Sequence, residues 1–221
     1  MSDYKTKTEL LIEELKIKYP DFKIKFKDES KFMKFLNIFV KLFNKKFMSR
    51  YTTVLEYTVY FPSKKWMEKD WRKTFYVLSH ESIHMASHNS NPVKHVLGYT
   101  FPQNLGLLSL LSLLSFINPA FLVFLIFLTA LGPWPAPFRV KEETRGHGMN
   151  CKIGTWEGFN MLEQGDALER MAKKVCGWDY YNPLHSPKQM EKDLEEYSST
   201  DRSEKGYNLV KKVFDINNEN L

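Results

Sequence analysis

The sequence predicts an α+β fold in which a small sheet packs on helices. Three observations lead there. Several stretches repeat apolar residues at three- and four-residue steps, as helices with one buried face do. Two shorter stretches either alternate apolar with charged residues or are rich in β-branched and aromatic ones, as strands are. A long uncharged stretch, Leu105 to Leu131, interrupts an otherwise charged chain and reads as an apolar helical hairpin. At 221 residues, 43% hydrophobic and 15% aromatic, the chain has ample material for a packed core.

In chain order, Asp3 to Tyr19 places Leu10, Leu11, Leu15 and Ile17 at helical spacing and stops at Pro20. Phe22, Ile24 and Phe26 alternate with Lys23, Lys25 and Lys27, a strand whose outward lysines discourage edge pairing. Asp28 or Ser30 caps a helix running to about Phe43. Tyr51 to Phe61 reads as the longest strand, ended by Pro62. A helix capped by Asp70 and stopped at Asn91-Pro92 follows, with neither Pro nor Gly between Asp70 and Asn89. Ser90 to Tyr99 is polar and loop-like. Beyond the apolar stretch, Arg139 to Asn150 and Trp156 to Val175 read as helical, Gly177 to Pro183 as an aromatic turn, and Ser186 to Tyr197 and Ser203 to Phe214 as charged helices. The Asn-rich end, 216–220, is expected to fray. No internal repeat and no phosphate-binding glycine loop stands out.

The helix from Asp70 carries His80, Glu81 and His84, the pattern His-Glu-x-x-His. Four residues put both imidazoles on one face, roughly 40° apart and about 6 Å along the axis. That spacing suits two ligands of one Zn²⁺ with Glu81 beside the water that the metal acidifies towards a pKa of about 7. Val77, Leu78, Ile83 and Met85 give the helix apolar positions to bury. The plain alternative is a half-buried helix with hydrogen-bonded histidines. His88 lies about 12 Å from His80 along a straight helix, too far for the same ion, and reads as a rim or supporting residue.

A third protein ligand is needed. Glu142, Glu143 and His147 are the near candidates, His88 and His95 the remote ones, and Arg139 stands one turn before Glu143. If that ligand follows the apolar stretch, both ends of the stretch lie on one side of any membrane. As α-helices its halves, Leu105 to Ile117 and Ala120 to Leu131, would each be about 18 to 20 Å long, short of the ~30 Å hydrocarbon core. Asn118-Pro119 supplies a bend. A hairpin that enters lipid and returns is therefore expected, with a buried pair of helices as the alternative. Trp134 suits an interfacial anchor.

The order helix, strand, helix, strand, motif helix resembles the core of zincin metallopeptidases. Arg139-x-x-x-Glu143-x-x-Gly146-His147 is similar to an Arg-x-x-x-Glu-x-x-Ala-Tyr pattern of small bacterial and phage proteins that carry the motif and an apolar insertion. Gly146 and His147 stand where those proteins have Ala and Tyr. The likeness covers Tyr51 to Pro187. It implies a zincin-like fold of the gluzincin kind and peptide hydrolysis dependent on zinc. It implies His80, His84 and Glu143 as ligands, with Glu142 as runner-up, and Glu81 as general base and then acid. It also makes Tyr51 to Phe61 a substrate-binding edge. His88, Arg139 and His147 become supporting residues. Tyr180 and Tyr181, in a turn similar to one in the same proteins, become oxyanion donors or packing residues.

The expected organisation is an N-terminal half (1–100) with the motif helix, an apolar insertion (101–135), and a C-terminal helical half (136–221) with the third ligand. A net charge of +6 suits an acidic membrane surface or nucleic acid, but no nucleic-acid-reading motif accompanies it. Two cysteines make no disulfide framework and point to a reducing compartment. The first residues lack the apolar core of a signal peptide. The expectation is a zinc metallopeptidase acting on peptides or proteins, in the cytoplasm or on the cytoplasmic side of a membrane, with lipid as partner through Leu105 to Leu131. The alternative is a zinc-stabilised membrane-binding or assembly module without turnover. Glu81 speaks against that, since structural zinc needs no base.

Overall fold

The computed structural model describes residues 4–41, 44–132, 134, 136–158, 165–177, 186–199 and 205–219. Helix α1 (Tyr4–Lys18) leads to β1 (Lys23–Phe26), α2 (Lys31–Val40), β2 (Thr53–Leu55) and β3 (Thr58–Phe61). Helices α3 (Lys64–Lys69), α4 (Trp71–Ser90) and α5 (Pro92–Thr100) follow, then two 3₁₀ helices, η1 (Gln103–Phe116) and η2 (Pro119–Leu131). The chain closes with α6 (Pro137–Trp156), α7 (Gly165–Val175), α8 (Pro187–Ser199) and α9 (Lys205–Glu219). Helix dominates and the described sheet has three strands, which fits the α+β class.

The sheet has the order β1-β3-β2, with β1 parallel and β2 antiparallel to β3. Tyr51 to Phe61 is therefore not one long strand. It folds back at Glu56-Tyr57, where Leu55 pairs with Thr58 and Glu56 takes a left-handed φ of 54°. The fold-back lets the same β-prone run fill two places in the sheet and pair its own backbone groups. Val59 and Phe61 enter the main core, while Tyr60 packs with Met33 and Phe47 on the opposite face.

Lys27 also departs from its expected outward position. It is fully buried, with Nζ 3.7 Å from the centre of the Phe47 ring and donating to Phe47 O at 2.9 Å. Burial lowers its pKa to about 7, against a smaller opposing pull from Glu81.

Helix α4 is the axis of the molecule. Leu11 and Leu15 of α1, Val59 and Phe61 of β3, Met149 and Ile153 of α6, and Val210 and Val213 of α9 join Phe75, Leu78 and Ile83 of α4 in one core. That core draws on both chain halves around the apolar insertion. A second core joins α6 to α7 and α8 through Val140, Cys151, Leu168, Ala172 and Leu194. Both cysteines are buried there and free.

Asp70 caps α4 by accepting from Lys73 N at 2.9 Å. Asn91 both ends α4 and starts α5, accepting from Lys94 N at 2.9 Å with Pro92 in the first turn. The expected loop Ser90 to Tyr99 is thus largely the helix α5, because Asn-Pro begins helices as readily as it ends them. The short α3, not anticipated, is capped by Ser63 accepting from Trp66 N at 3.1 Å. At the other end α9 continues through the Asn-rich stretch to Glu219. Phe43, Tyr180 and Tyr181 lie outside the described residues.

The apolar insertion is a hairpin, but not of α-helices. Gly106, Ser109, Ser112 and Ser115 in η1, and Phe121, Phe124, Phe127 and Ala130 in η2, recur at every third residue. This repeat suits the 3₁₀ helix. With 3.0 residues per turn such positions stay in line, whereas at 3.6 they wind about 60° per step. The Phe121, Phe124 and Phe127 rings stack 6.0 Å apart, the rise of about one 3₁₀ turn. These rings are half-buried, as Gly106 and Ser109 are buried, and a Cβ on Gly106 would stand 2.8 Å from Leu131 Cγ. At about 2.0 Å per residue η1 and η2 are ~28 and ~26 Å long, beyond the α-helical expectation but still under the ~30 Å hydrocarbon core. Among the described residues, no helix is long and apolar enough to cross a membrane.

Candidate metal centre

Helices α4 and α6 lie side by side, and each presents two side chains four residues apart to the other. From α4 come His80 and His84, whose Nε2 atoms are 3.0 Å apart. From α6 come Glu143 and His147. Glu143 Oε2 lies 3.5 Å from His80 Nε2 and 3.8 Å from His147 Nε2, and Glu143 Oε1 lies 3.9 Å from His84 Nε2. All four residues are buried.

Their approach depends on Gly146. A Cβ there would sit 2.5 Å from His80 Cε1 and 2.7 Å from both ring nitrogens, so the His80 ring rests against the α6 backbone itself. Bonds of about 2.0 to 2.1 Å in a tetrahedron place ligand atoms about 3.3 to 3.4 Å apart. The observed separations bracket that value. Ligand atoms of His80, Glu143 and His147, and likewise of His80, Glu81 and His84, fall within 4.8 Å of one another. The donor set could therefore hold a divalent metal ion, Zn²⁺ among those that imidazole and carboxylate suit.

The electrostatics suit the same chemistry. Burial pushes the Glu143 pKa up, but the hydrogen bond from His80 and the charges of His84, His80 and His147 outweigh it and hold it well below the usual range. Burial, with His80 adding, lowers the His147 pKa to about 3, so its ring is neutral at physiological pH. Glu81 keeps some surface open to solvent yet is surrounded by protein on most sides. Burial raises its pKa to about 7, with His80 opposing and Glu143 adding.

The two neighbouring glutamates face different ways. Glu142 Oε2 lies 3.9 Å from His84 Nδ1 and 4.0 Å from His95 Nδ1. Its Oε1 accepts from Arg145 Nη1 at 2.8 Å, and the same nitrogen donates to Ser87 Oγ at 2.6 Å. Glu142 thus stands behind His84, where a carboxylate can orient the ring, while Glu143 faces the Nε2 atoms. Burial acts to raise the Glu142 pKa, but the polar groups of His84 and Ser87 beside it and the Arg145 charge bring it down to about 2.

Tyr99, which the sequence did not single out, donates its hydroxyl to Glu143 Oε1. It was hidden because α5 read as a loop. On a helix Tyr99 falls one turn after His95, and the two rings stack 5.8 Å apart. Arg139 acts at one remove: Nε donates to Tyr99 O and Nη2 to Gln103 Oε1, both at 2.9 Å. His88 stands off the centre, 5.7 Å from the His95 ring and edge-on to Tyr57 at 5.3 Å. Of the expected substrate edge, β3 is interior and β2 is the sheet edge. Tyr57, in the turn between them, donates to Asn89 Oδ1 at 3.0 Å. Tyr180 and Tyr181 fall outside the described residues.

No protein-family model, curated protein or solved structure matches this chain.

Proposed function

We propose that this chain is a zinc-dependent metallopeptidase of the zincin type, with Zn²⁺ held by His80, His84 and Glu143. One observation carries the proposal. Paired side chains from two adjacent helices converge with their donor atoms 3.0 to 3.9 Å apart, and Glu81 sits next to one of them in the chain. Bound there, Zn²⁺ would supply an acidified water and polarise the scissile carbonyl. Glu81 takes a proton from the attacking water and passes it to the leaving amine, and a carboxyl poised near neutrality serves both steps. Tyr99 fixes the Glu143 carboxylate, and Glu142 stands 3.9 Å behind the His84 ring, where it could orient it. A small mixed sheet with an antiparallel edge, placed before the motif helix, supports the zincin reading.

His147 favours a second reading. As a fourth protein ligand it would close the coordination sphere, the mark of a structural site. His147→Ala separates the two. A peptidase keeps its zinc and its hydrolysis of quenched peptides, whereas a closed structural site loses zinc. Metal analysis of wild type and Glu143→Ala tests the ligand set, and absence of bound zinc in the wild type would falsify both readings.

A further inference from the structure

We infer that the hairpin of η1 and η2 is a one-sided lipid anchor that holds the α4–α6 centre at a bilayer surface, so that its substrates are polypeptide segments lying on or emerging from the membrane. The anchor stands on the hairpin alone; the substrate class rests on the peptidase reading above.

Three observations commit the hairpin to acyl chains. The first is where it is exposed. Leu107, Leu108, Leu110, Val123, Leu125 and Ile126 are exposed, and together they occupy both of the stripes beside the most buried one on each 3₁₀ helix. A protein partner or a second copy covers one face of such a rod. A fluid apolar phase covers every face.

The second is the treatment of polar groups. Ser109 Oγ donates to Gly106 O at 2.6 Å and Thr129 Oγ1 to Ile126 O at 2.7 Å, both within their own helix. At the bend Asn118 Oδ1 accepts from Ala120 N at 2.9 Å. Polar groups satisfied inside the segment are what hydrocarbon requires.

The third is direction. The far end presents Phe116 and Ile117, 83% and 76% exposed. No charged residue occurs from Leu105 to Leu131. Polar side chains gather at the base instead, where Gln103 Nε2 donates to Gly132 O at 3.0 Å and ties the two ends together. The tip enters and the base stays in water. That base is joined to the centre by a short hydrogen-bonded path, from the Gln103 side chain to Arg139, from Arg139 to the Tyr99 carbonyl, and from the Tyr99 hydroxyl to Glu143. A centre so closely joined to the base lies near the membrane plane.

The test is flotation of the full chain with vesicles of phosphatidylcholine, with and without phosphatidylglycerol. Wild type should float with both. Leu110→Lys with Ile126→Lys, two exposed positions outside the packed stripe, should lose flotation, each lysine weakening partition roughly hundredfold. Zinc content equal to wild type shows that the double variant has folded. If it has not, a fluorophore on a single cysteine at Ile117 supplies the independent reading: blue-shifted emission with vesicles supports the anchor, and unchanged emission overturns it. A wild type that stays off vesicles, or forms a dimer through the hairpin in detergent-free solution, also overturns it. For the substrate class, one peptide sequence is offered free and lipid-anchored on vesicles. At least tenfold faster cleavage of the anchored form is expected, and equal rates overturn that half. Flotation without cleavage of either form leaves the anchor standing and sinks the peptidase reading.

Discussion

The candidate metal centre and the apolar hairpin are built as inversions of one another. Between α4 and α6 the side chains inside are polar: His80, His84, Glu143 and His147 are buried, and His84, Glu143 and His147 fall in two overlapping groups that share His80. In the hairpin the side chains outside are apolar, and hydroxyls such as Ser109 and Thr129 bond to their own helix. Both regions rely on a glycine for close approach. Gly146 admits the His80 ring and Gly106 admits Leu131. The comparison teaches that a group's burial follows from what surrounds it. Polar groups go inside where donors and acceptors face each other, and apolar groups left outside call for an apolar partner or phase.

The largest effect should come from the chemistry that only one of the regions carries. Glu81→Gln is expected to cut peptide hydrolysis by about 10²- to 10⁴-fold, the usual worth of a general base, with zinc content unchanged. His80→Ala and His84→Ala should each lose zinc and lower the melting temperature in calorimetry, since metal binding ties α4 to α6. His88→Ala should keep its zinc. Equal loss in that variant would bring His88 into the centre and overturn the ligand set.

The glycine pair sharpens the contrast more directly. Gly146→Ala puts a methyl against the His80 ring and should weaken zinc roughly 10- to 100-fold, the scale set by groups that orient a ligand. Gly106→Ala crowds only Leu131 and should cost about 1 to 3 kcal/mol of hairpin packing while zinc affinity holds. Zinc titration of the two variants in parallel checks this. A matching loss of zinc in Gly106→Ala would mean that the two regions are not separable.

Tyr99→Phe removes the hydroxyl that Glu143 accepts and should weaken zinc by about tenfold, without changing flotation with vesicles. At Lys27 the expected effect is on the pH dependence of stability. Its folded pKa of about 7 lies below the ordinary 10.5, so between those values the unfolded chain binds more protons. Its cost to stability is then full below about pH 7 and is relieved as pH rises towards 10.5. Lys27→Met should flatten that rise in melting temperature. An unchanged slope would mean that Lys27 keeps its charge in the fold.

Much of this protein was legible along the chain because the signals were local. Asp70 as a cap, Asn91-Pro92 as a stop and the four-residue spacing of His80 and His84 belong to single helices, and each stands where expected. Glu143 as the partner across from them came from a likeness in pattern, and its two carboxylate oxygens lie 3.5 Å from His80 Nε2 and 3.9 Å from His84 Nε2. The bend at Asn118-Pro119 is local chemistry too, whereas the return of the apolar stretch was read from the expected metal ligands on either side of it. What stayed hidden depended on partners distant in sequence. Tyr51 to Phe61 has the residues of one long strand, and only the place open between β1 and β2 makes β3 central and folds the run back at Glu56. Lys27 alternates like an outward residue until Phe47, twenty positions on, offers a ring and a carbonyl. Tyr99 and Gly146 carry no motif of their own. They acquire roles only when α5 and α6 are laid against α4, because hydrogen bonding to Glu143 and clearance for His80 are properties of the packed helices and of neither chain segment alone.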